Sequence, residues 1–182
     1  MFEGTNWTTV FVALVTGGTA ACGPLLLWYK QGKRERESVR ASLLAEVAAL
    51  LEMVERRNYV RDLRAKEAYL MSLTQDQLKL INTEQYGFEL PAAGNYNRVY
   101  QANLARLGAL STVEATQIVR FHQFADSVRA DVTTGGVLAI GCVDHESYGE
   151  TAGILEAAIE IGTQLTKRPL SAWQRLKRWS KN

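Results

Sequence analysis

Hydrophobic positions along this chain follow two patterns, one continuous and one periodic. Residues 7–29 form an apolar run of 23 residues without a charged side chain. From Ser38 onward the apolar positions recur every three or four residues, as at Leu43, Val47 and Leu50, which is the spacing of one face of an α-helix. Strand-like alternation does not occur in the sequence. The two patterns together predict an all-α protein, with one N-terminal transmembrane helix followed by a helical bundle.

The apolar run is long enough to cross a bilayer, because a spanning helix needs about 20 residues. Trp7 at one end, and Trp28 with Tyr29 at the other, match the aromatic belts of the two membrane interfaces. A cleaved signal peptide is disfavoured because the only charge before the run is Glu3, where such a peptide has basic residues. A buried core helix is disfavoured by the cations that follow at once. The run is therefore predicted to span a membrane.

Basic residues beside the run predict its orientation. None precedes it, and five follow within eleven residues, namely Lys30, Lys33, Arg34, Arg36 and Arg40. The positive-inside rule then places the C-terminus in the cytoplasm and the N-terminus outside, in a single-pass protein of the inner (cytoplasmic) membrane. The predicted organisation is a short external tail at 1–6, a transmembrane helix at 7–29, a cytoplasmic helical domain at 30–168 and a basic amphipathic tail at 169–182.

Small residues inside the run suggest how spans could associate. Ala13, Gly17 and Ala21 lie four residues apart, a spacing that lets membrane helices approach closely. We therefore expect self-association through this stripe and a homo-oligomer, although small residues are also common in membrane helices generally. Threonine hydroxyls in the same run leave an alternative open, in which the chain is a subunit of an oligomeric pore or a membrane-disrupting effector. Such hydroxyls usually bond their own helix backbone instead.

The rest of the chain is predicted to be helical, beginning with a long juxtamembrane helix from Ser38 to about Ser72. Asn58 is the only good breaker within it, and the helix could continue directly from the span. Three capping-box patterns predict later helix starts: Thr74-x-x-Gln77, Ser111-x-x-Glu114 and Ser147-x-x-Glu150. A helix is also predicted at 97–110, a loop at 86–96, and either a helical turn or an extended piece at 135–143. The last helix, to about Thr166, is apolar over a broad arc and is predicted to be central.

The net charge of +2 combines two unlike regions. From Ile161 onward there are six basic and no acidic side chains, whereas residues 1–160 carry 15 basic and 19 acidic ones. The segment 170–179 is amphipathic, so its members Trp173, Arg175, Lys177 and Arg178 are predicted to lie at the membrane interface with Lys30, Lys33 and Arg34. A free tail or a docked helix is the alternative. Nucleic acid is disfavoured as a partner because no motif for it accompanies the basic patch.

Candidate catalytic and metal-binding residues are few. The only histidines are His122 and His145. Together with Cys142 and Asp144 they include permitted zinc ligands, but their spacing matches no zinc signature. The histidines are predicted to be half-buried structural residues, Phe121 a core residue, and the acidic residues solvated. We therefore predict no catalytic residue, no cofactor site and no metal site.

The segment 96–132 resembles a family of uncharacterised bacterial single-span membrane proteins, in which a "vYxaNlxrLGxL" helix precedes an "IVRFHxF" helix. The match is carried by Tyr100, Asn103, Leu107, Gly108, Leu110, Arg120 and Phe121. The resemblance implies the same architecture and no particular activity. Asn103 and Arg120 are expected either to hydrogen-bond between helices or to be exposed.

Taken together, the sequence predicts a membrane-anchored, self-associating interaction or regulatory protein rather than an enzyme. Its expected partners are the lipid bilayer and a second copy of the chain, and another membrane or cytoplasmic protein is a further candidate.

Overall fold

A computed structural model of the protein describes residues 7–81, 86–90 and 95–167, and at 7–10 and 13–25 it describes the backbone alone. The described residues are helical and contain no strand, which confirms the all-α prediction. The six α-helices are α1 (Trp7–Arg56), α2 (Tyr59–Met71), α3 (Gln75–Leu80), α4 (Arg98–Asn103), α5 (Thr112–Val132) and α6 (His145–Thr166). A 3-10 helix at Leu104–Ala109 joins α4 to α5.

The first helix is continuous from the apolar run into the bundle, over 50 residues. Its side chains are exposed from position 26 to position 38, and the bundle begins at Val39. Val39, Leu43 and Val47 are then completely buried, because the three- and four-residue spacing keeps them on one face. The helix is thus half outside and half inside the bundle.

The prediction of one continuous helix from Ser38 to about Ser72 is wrong at the middle of that segment. Asn58 adopts a left-handed conformation with φ 54°, which ends α1 at Arg56 and allows α2 to begin at Tyr59. Asparagine tolerates this region better than most residues other than glycine. The break lets α2 fold back against α6 rather than extend α1.

Several predictions for the N-terminal region and the tail lie outside the described residues. These are the tail at 1–6, the side chain of Trp7, the self-association residues Ala13, Gly17 and Ala21, and the basic tail with Trp173, Arg175, Lys177 and Arg178. Within the part of the chain that is described, no helix combines the length and the apolar character needed to cross a membrane.

Two of the three predicted helix starts are confirmed. Thr74 and Gln77 form the full reciprocal capping box at α3, and the Ser111 hydroxyl accepts from the backbone N–H of Glu114 at α5. The third prediction is wrong, because α6 begins earlier, with Asp144 as its cap. The Asp144 carboxylate accepts from two backbone N–H groups and from the Ser147 hydroxyl. Ser147 is therefore within the first turn instead of preceding it.

The helix predicted at 97–110 is interrupted after Asn103. The Asn103 side-chain amide donates to the Val99 carbonyl, and the chain then tightens into the 3-10 helix. Asn103 is buried, and besides this bond within α4 its side-chain oxygen accepts from Arg106 of the 3-10 helix at 3.5 Å. Arg120 is exposed. Since the change of helix type rotates the following residues, Leu104 is 45% exposed although Tyr100 is buried.

Helix α6 is central, as predicted, and packs against α1, α2 and α5. Gly162 makes this close packing feasible, since a Cβ atom there would lie 2.9 Å from the Phe121 ring and 3.0 Å from Leu51. The undecided segment 135–143 forms turns around the buried Leu138. Its Leu138 carbonyl accepts from the Phe88 N–H at 2.7 Å, which fastens the segment 86–90 over the bundle.

Candidate functional site

The most unusual group of side chains in the bundle surrounds Glu46, in the middle of α1. Its carboxylate accepts from the backbone N–H groups of Val99 and Tyr100, both at 2.8 Å. These N–H groups belong to the first turn of α4, where no earlier carbonyl can accept them. Asn97 precedes the helix but makes no capping bond with its side chain. Glu46 therefore caps α4, although it is distant from that helix in the sequence.

His122 on α5 is buried beside this carboxylate, with 1% of its surface exposed. Its ring stacks on Tyr100 at 4.0 Å between centroids, and Phe121 meets it edge-on at 5.2 Å. The distance from His122 Nε2 to Glu46 Oε2 is 3.8 Å, too long for a hydrogen bond. Neither ring nitrogen has a hydrogen-bond partner among the residues that the structure describes.

Burial lowers the pKa of His122 to about 4, against the weaker opposing effect of Asp126. The imidazole is consequently neutral at physiological pH. The sequence prediction of half-buried histidines is confirmed for His145 and wrong for His122, because the stacked Tyr100 ring and the edge-on Phe121 ring remove the imidazole from solvent. A neutral imidazole without a bonded base or nucleophile matches no catalytic arrangement among the described residues.

A second polar group lies one turn further along α5. The Tyr96 hydroxyl donates to the backbone carbonyl of His122 at 3.4 Å. The guanidinium of Arg129 lies 5.9 Å from the centre of the Tyr96 ring, and its Nε is 3.6 Å from Asp126 Oδ1. That Nε atom is buried and makes no hydrogen bond to the described residues, although the Arg129 side chain as a whole is 38% exposed. The donor is thus shielded from water at the edge of the bundle, in ionic contact with Asp126.

Next to this group is a cavity of about 390 Å³. Its walls come from the end of α1, from α2, α5 and α6, and from the segment that carries Phe88, Leu90 and Tyr96. Arg129 is its charged side chain, Tyr59 and Tyr96 carry hydroxyls, and the other lining residues are apolar. Met53, at the wall nearest the end of α1, is 44% exposed, so the cavity meets solvent there.

Ion pairs join the exposed part of α1 to the bundle. Arg36 and Arg40 contact the Glu114 carboxylate at 3.2 and 2.6 Å, and Arg106 contacts Glu35 at 3.2 Å. Although partial burial opposes ionisation, hydrogen bonds from Arg40, Ser111 and Arg36 hold the pKa of Glu114 at about 2. This junction fixes the direction in which α1 leaves the bundle.

The residues weighed for metal binding do not converge. Cys142 and Asp144 belong to the turn before α6, where the Asp144 N–H donates to the Cys142 sulfur at 3.4 Å, and His145 begins the helix. His122 is in the buried cluster. Across residues 7–81, 86–90 and 95–167, no three histidine, cysteine or acidic side chains are grouped so that they could hold an ion.

The predicted interface residues that are described are exposed on α1. These are Trp28, Tyr29, Lys30, Lys33 and Arg34.

The sequence prediction missed Glu46, whose side chain is 8% exposed. The expectation that acidic residues are solvated is wrong at this position. A signal was present, since Glu46 lies three residues after Leu43 and four before Leu50, inside the apolar stripe of α1. Arg129 has a similar position between Ala125 and Val132. A charge within an apolar stripe is the pattern that could have identified both.

Comparison of the chain with protein-family models, with curated proteins and with solved structures gives no match. The resemblance of segment 96–132 to single-span bacterial membrane proteins stays a prediction.

Proposed function

We propose that this chain is a membrane-anchored helical protein that acts through binding and self-association of its bundle, not through catalysis. The observation that carries the proposal is the exposure of the large apolar side chains that are described before the bundle. Leu26, Leu27, Trp28 and Tyr29 are contiguous, and with Phe11 they are each 61–75% exposed. Large apolar side chains in such a state are typical of a surface that a membrane or a protein covers.

The length of the helix supports a membrane as the cover. At 1.5 Å per residue, positions 7–29 extend about 34 Å, close to the hydrocarbon thickness of about 30 Å. Lys30, Lys33 and Arg34 follow directly and are exposed, as cytoplasmic flanking residues would be. Most side chains of positions 7–29 lie outside the described residues, so the proposal depends on their sequence for the middle of the span.

Rigid attachment of the bundle supports a regulatory or interaction role. α1 has no break between the proposed span and the buried stripe that starts at Val39. The Glu114 carboxylate, held by Arg36 and Arg40, fixes the helix just before it enters the bundle. A rotation or association of spans would therefore be transmitted to the bundle without loss in a flexible linker.

Membrane anchoring is tested by charge substitution in the full chain. The double variant Phe11→Asp, Leu26→Asp should move from the membrane fraction to the soluble fraction, because a carboxylate in a span costs up to about 3 kcal/mol. Leu80→Asp is the matched control, since Leu80 is 85% exposed on α3. Release of the parent from membranes by an alkaline wash would refute the anchor. A cytoplasmic reporter fused after Asn182 should be active.

Self-association is tested separately in mild detergent. Gly17→Leu should lower the mass of the detergent-solubilised protein, because a large side chain keeps small-residue faces apart. Gly32→Leu is the control, as nothing lies within 4 Å of a Cβ built at Gly32. Equal masses for both variants and the parent would exclude a contact through the small-residue stripe. Conductance across planar bilayers would favour the pore alternative.

A further inference from the structure

The cavity in the bundle is a partly open cleft, which meets solvent beside Met53. For comparison, an engineered apolar cavity of about 150 Å³ is large enough to bind benzene. The present cavity, at about 390 Å³, is within the size range of small-molecule sites, roughly 300–1,000 Å³.

The walls of the cavity select an apolar occupant. Leu50 and Leu51 of α1, Leu63 of α2 and Leu155 of α6 line it, with further apolar residues of α5. Water in such a space would find few partners, whereas a hydrocarbon chain would lose its contact with water.

At the polar end of the cavity, the Arg129 Nε–H group could donate a hydrogen bond to one ligand oxygen. Arg129 Nε is buried there without a hydrogen bond, since Asp126 Oδ1 is 3.6 Å away. A buried donor without an acceptor is unfavourable, and a ligand oxygen would remove that penalty. Tyr96 adds no free donor, because its hydroxyl hydrogen already bonds the backbone carbonyl of His122.

The charges around this end disfavour an anionic ligand. Asp126 and Glu46 both act on the Tyr96 hydroxyl as negative charges, and Arg129 is the one positive charge that opposes them there. His122 adds none, since its imidazole is neutral. A ligand carboxylate would meet two carboxylates and a guanidinium that already has an ionic partner.

We propose that the cavity binds an uncharged, lipid-like molecule, whose apolar chain lies against α1, α2 and α6 and whose single oxygen accepts from Arg129 Nε. The apolar chain and its oxygen could come from a free neutral lipid, or from one acyl ester of a bilayer phospholipid whose charged headgroup stays outside the cavity. The proposal depends on the cavity alone, so a failure of the anchoring test leaves it in place.

The test uses the full chain, methyl-labelled for NMR and held in lipid nanodiscs. Added 1-dodecanol should shift the methyl resonances of Met53, Leu63 and Leu155, which line the cavity, and leave those of Val39 and Leu43, which are buried elsewhere in the bundle, unchanged. Dodecanoate at pH 8 should bind at least about tenfold more weakly, because it brings a charge. Spin-labelled disc phospholipid that broadens the same cavity methyls would identify a bilayer chain as the occupant.

Two variants separate the site from general partitioning into lipid. Ala125→Phe fills the cavity and should abolish the dodecanol shifts, whereas Ala130→Phe, at an exposed position of the same helix, should preserve them. Arg129→Leu should weaken dodecanol binding up to about tenfold, the value of one hydrogen bond, and leave dodecane unaffected. Arg120→Leu, also exposed on α5, is its control.

The proposal is overturned if neither dodecanol nor spin-labelled lipid affects the cavity methyls, or if Ala125→Phe responds like the parent. Binding of dodecanoate as tight as that of dodecanol would overturn the assignment of an uncharged ligand.

Discussion

Acidification should destabilise this protein through one side chain, His122. In the folded chain burial lowers the pKa of His122 to about 4, while in the unfolded chain it returns to about 6.5. The unfolded state therefore binds the proton more readily, and stability is complete above pH 6.5 and falls as the pH drops towards 4. Replacing the imidazole by a ring that cannot titrate, in His122→Phe, should remove this dependence.

The magnitude follows from the two pKa values. The whole difference corresponds to about 3 kcal/mol, because one pKa unit is worth about 1.4 kcal/mol. Between pH 7 and pH 5 the expected loss is about 2 kcal/mol, since the unfolded histidine is then nearly fully protonated and the folded one is not. The phenyl ring can keep the stacking on Tyr100, and it removes two nitrogens that have no hydrogen-bond partner.

Urea unfolding of the detergent-solubilised full chain, followed by far-UV circular dichroism at pH 7 and pH 5, measures the effect. The parent should lose about 2 kcal/mol of unfolding free energy and His122→Phe distinctly less. His145→Gln is the control, because His145 begins α6 and is not part of the buried cluster. Equal losses in the parent and in His122→Phe would refute the reasoning, and would indicate that protonated His122 pairs with the Glu46 carboxylate.

Four further substitutions test helix capping and packing in the bundle with the same unfolding assay. Glu46→Ala should lower the free energy of unfolding by about 2–3 kcal/mol, because two backbone N–H groups of α4 lose their acceptor. Glu52→Ala is the control, since Glu52 is exposed on the same helix and its loss should cost under about 1 kcal/mol. Similar losses in the two variants would show that water replaces the Glu46 carboxylate. Gly153→Ala should stabilise α6 by up to about 1 kcal/mol, because nothing lies near its Cβ position. The Gly162→Ala variant should be less stable than the Gly153→Ala variant, because a Cβ atom at position 162 would lie 2.9 Å from the Phe121 ring. The reverse order of stability would mean that the Phe121 ring moves aside at little cost.

Local features of the sequence determined the helices of this protein. The positions of α5 and most of α6 follow from apolar spacing and from capping residues within a few positions of each helix start. Such signals are local, because a backbone N–H at a helix end needs an acceptor that the chain can supply nearby. The same reasoning identified Asn58 as the weakest point of the long helix, but the choice between break and continuation depended on the packing of α2 against α6.

The tertiary structure alone decided the chemistry of the interior. Glu46, Tyr100 and His122 are separated by 54 and 22 positions in the chain, and their contacts depend on how α1, α4 and α5 are packed together. The cavity likewise exists only where four helices and the segment 86–90 fail to fill the space between them. Periodicity indicates which face of a helix is buried, but a charge on that face can be accommodated in several ways. Here the unpaired N–H groups of α4 donate to Glu46. That pairing depends on how α1 packs against α4, and no local sequence signal specifies it.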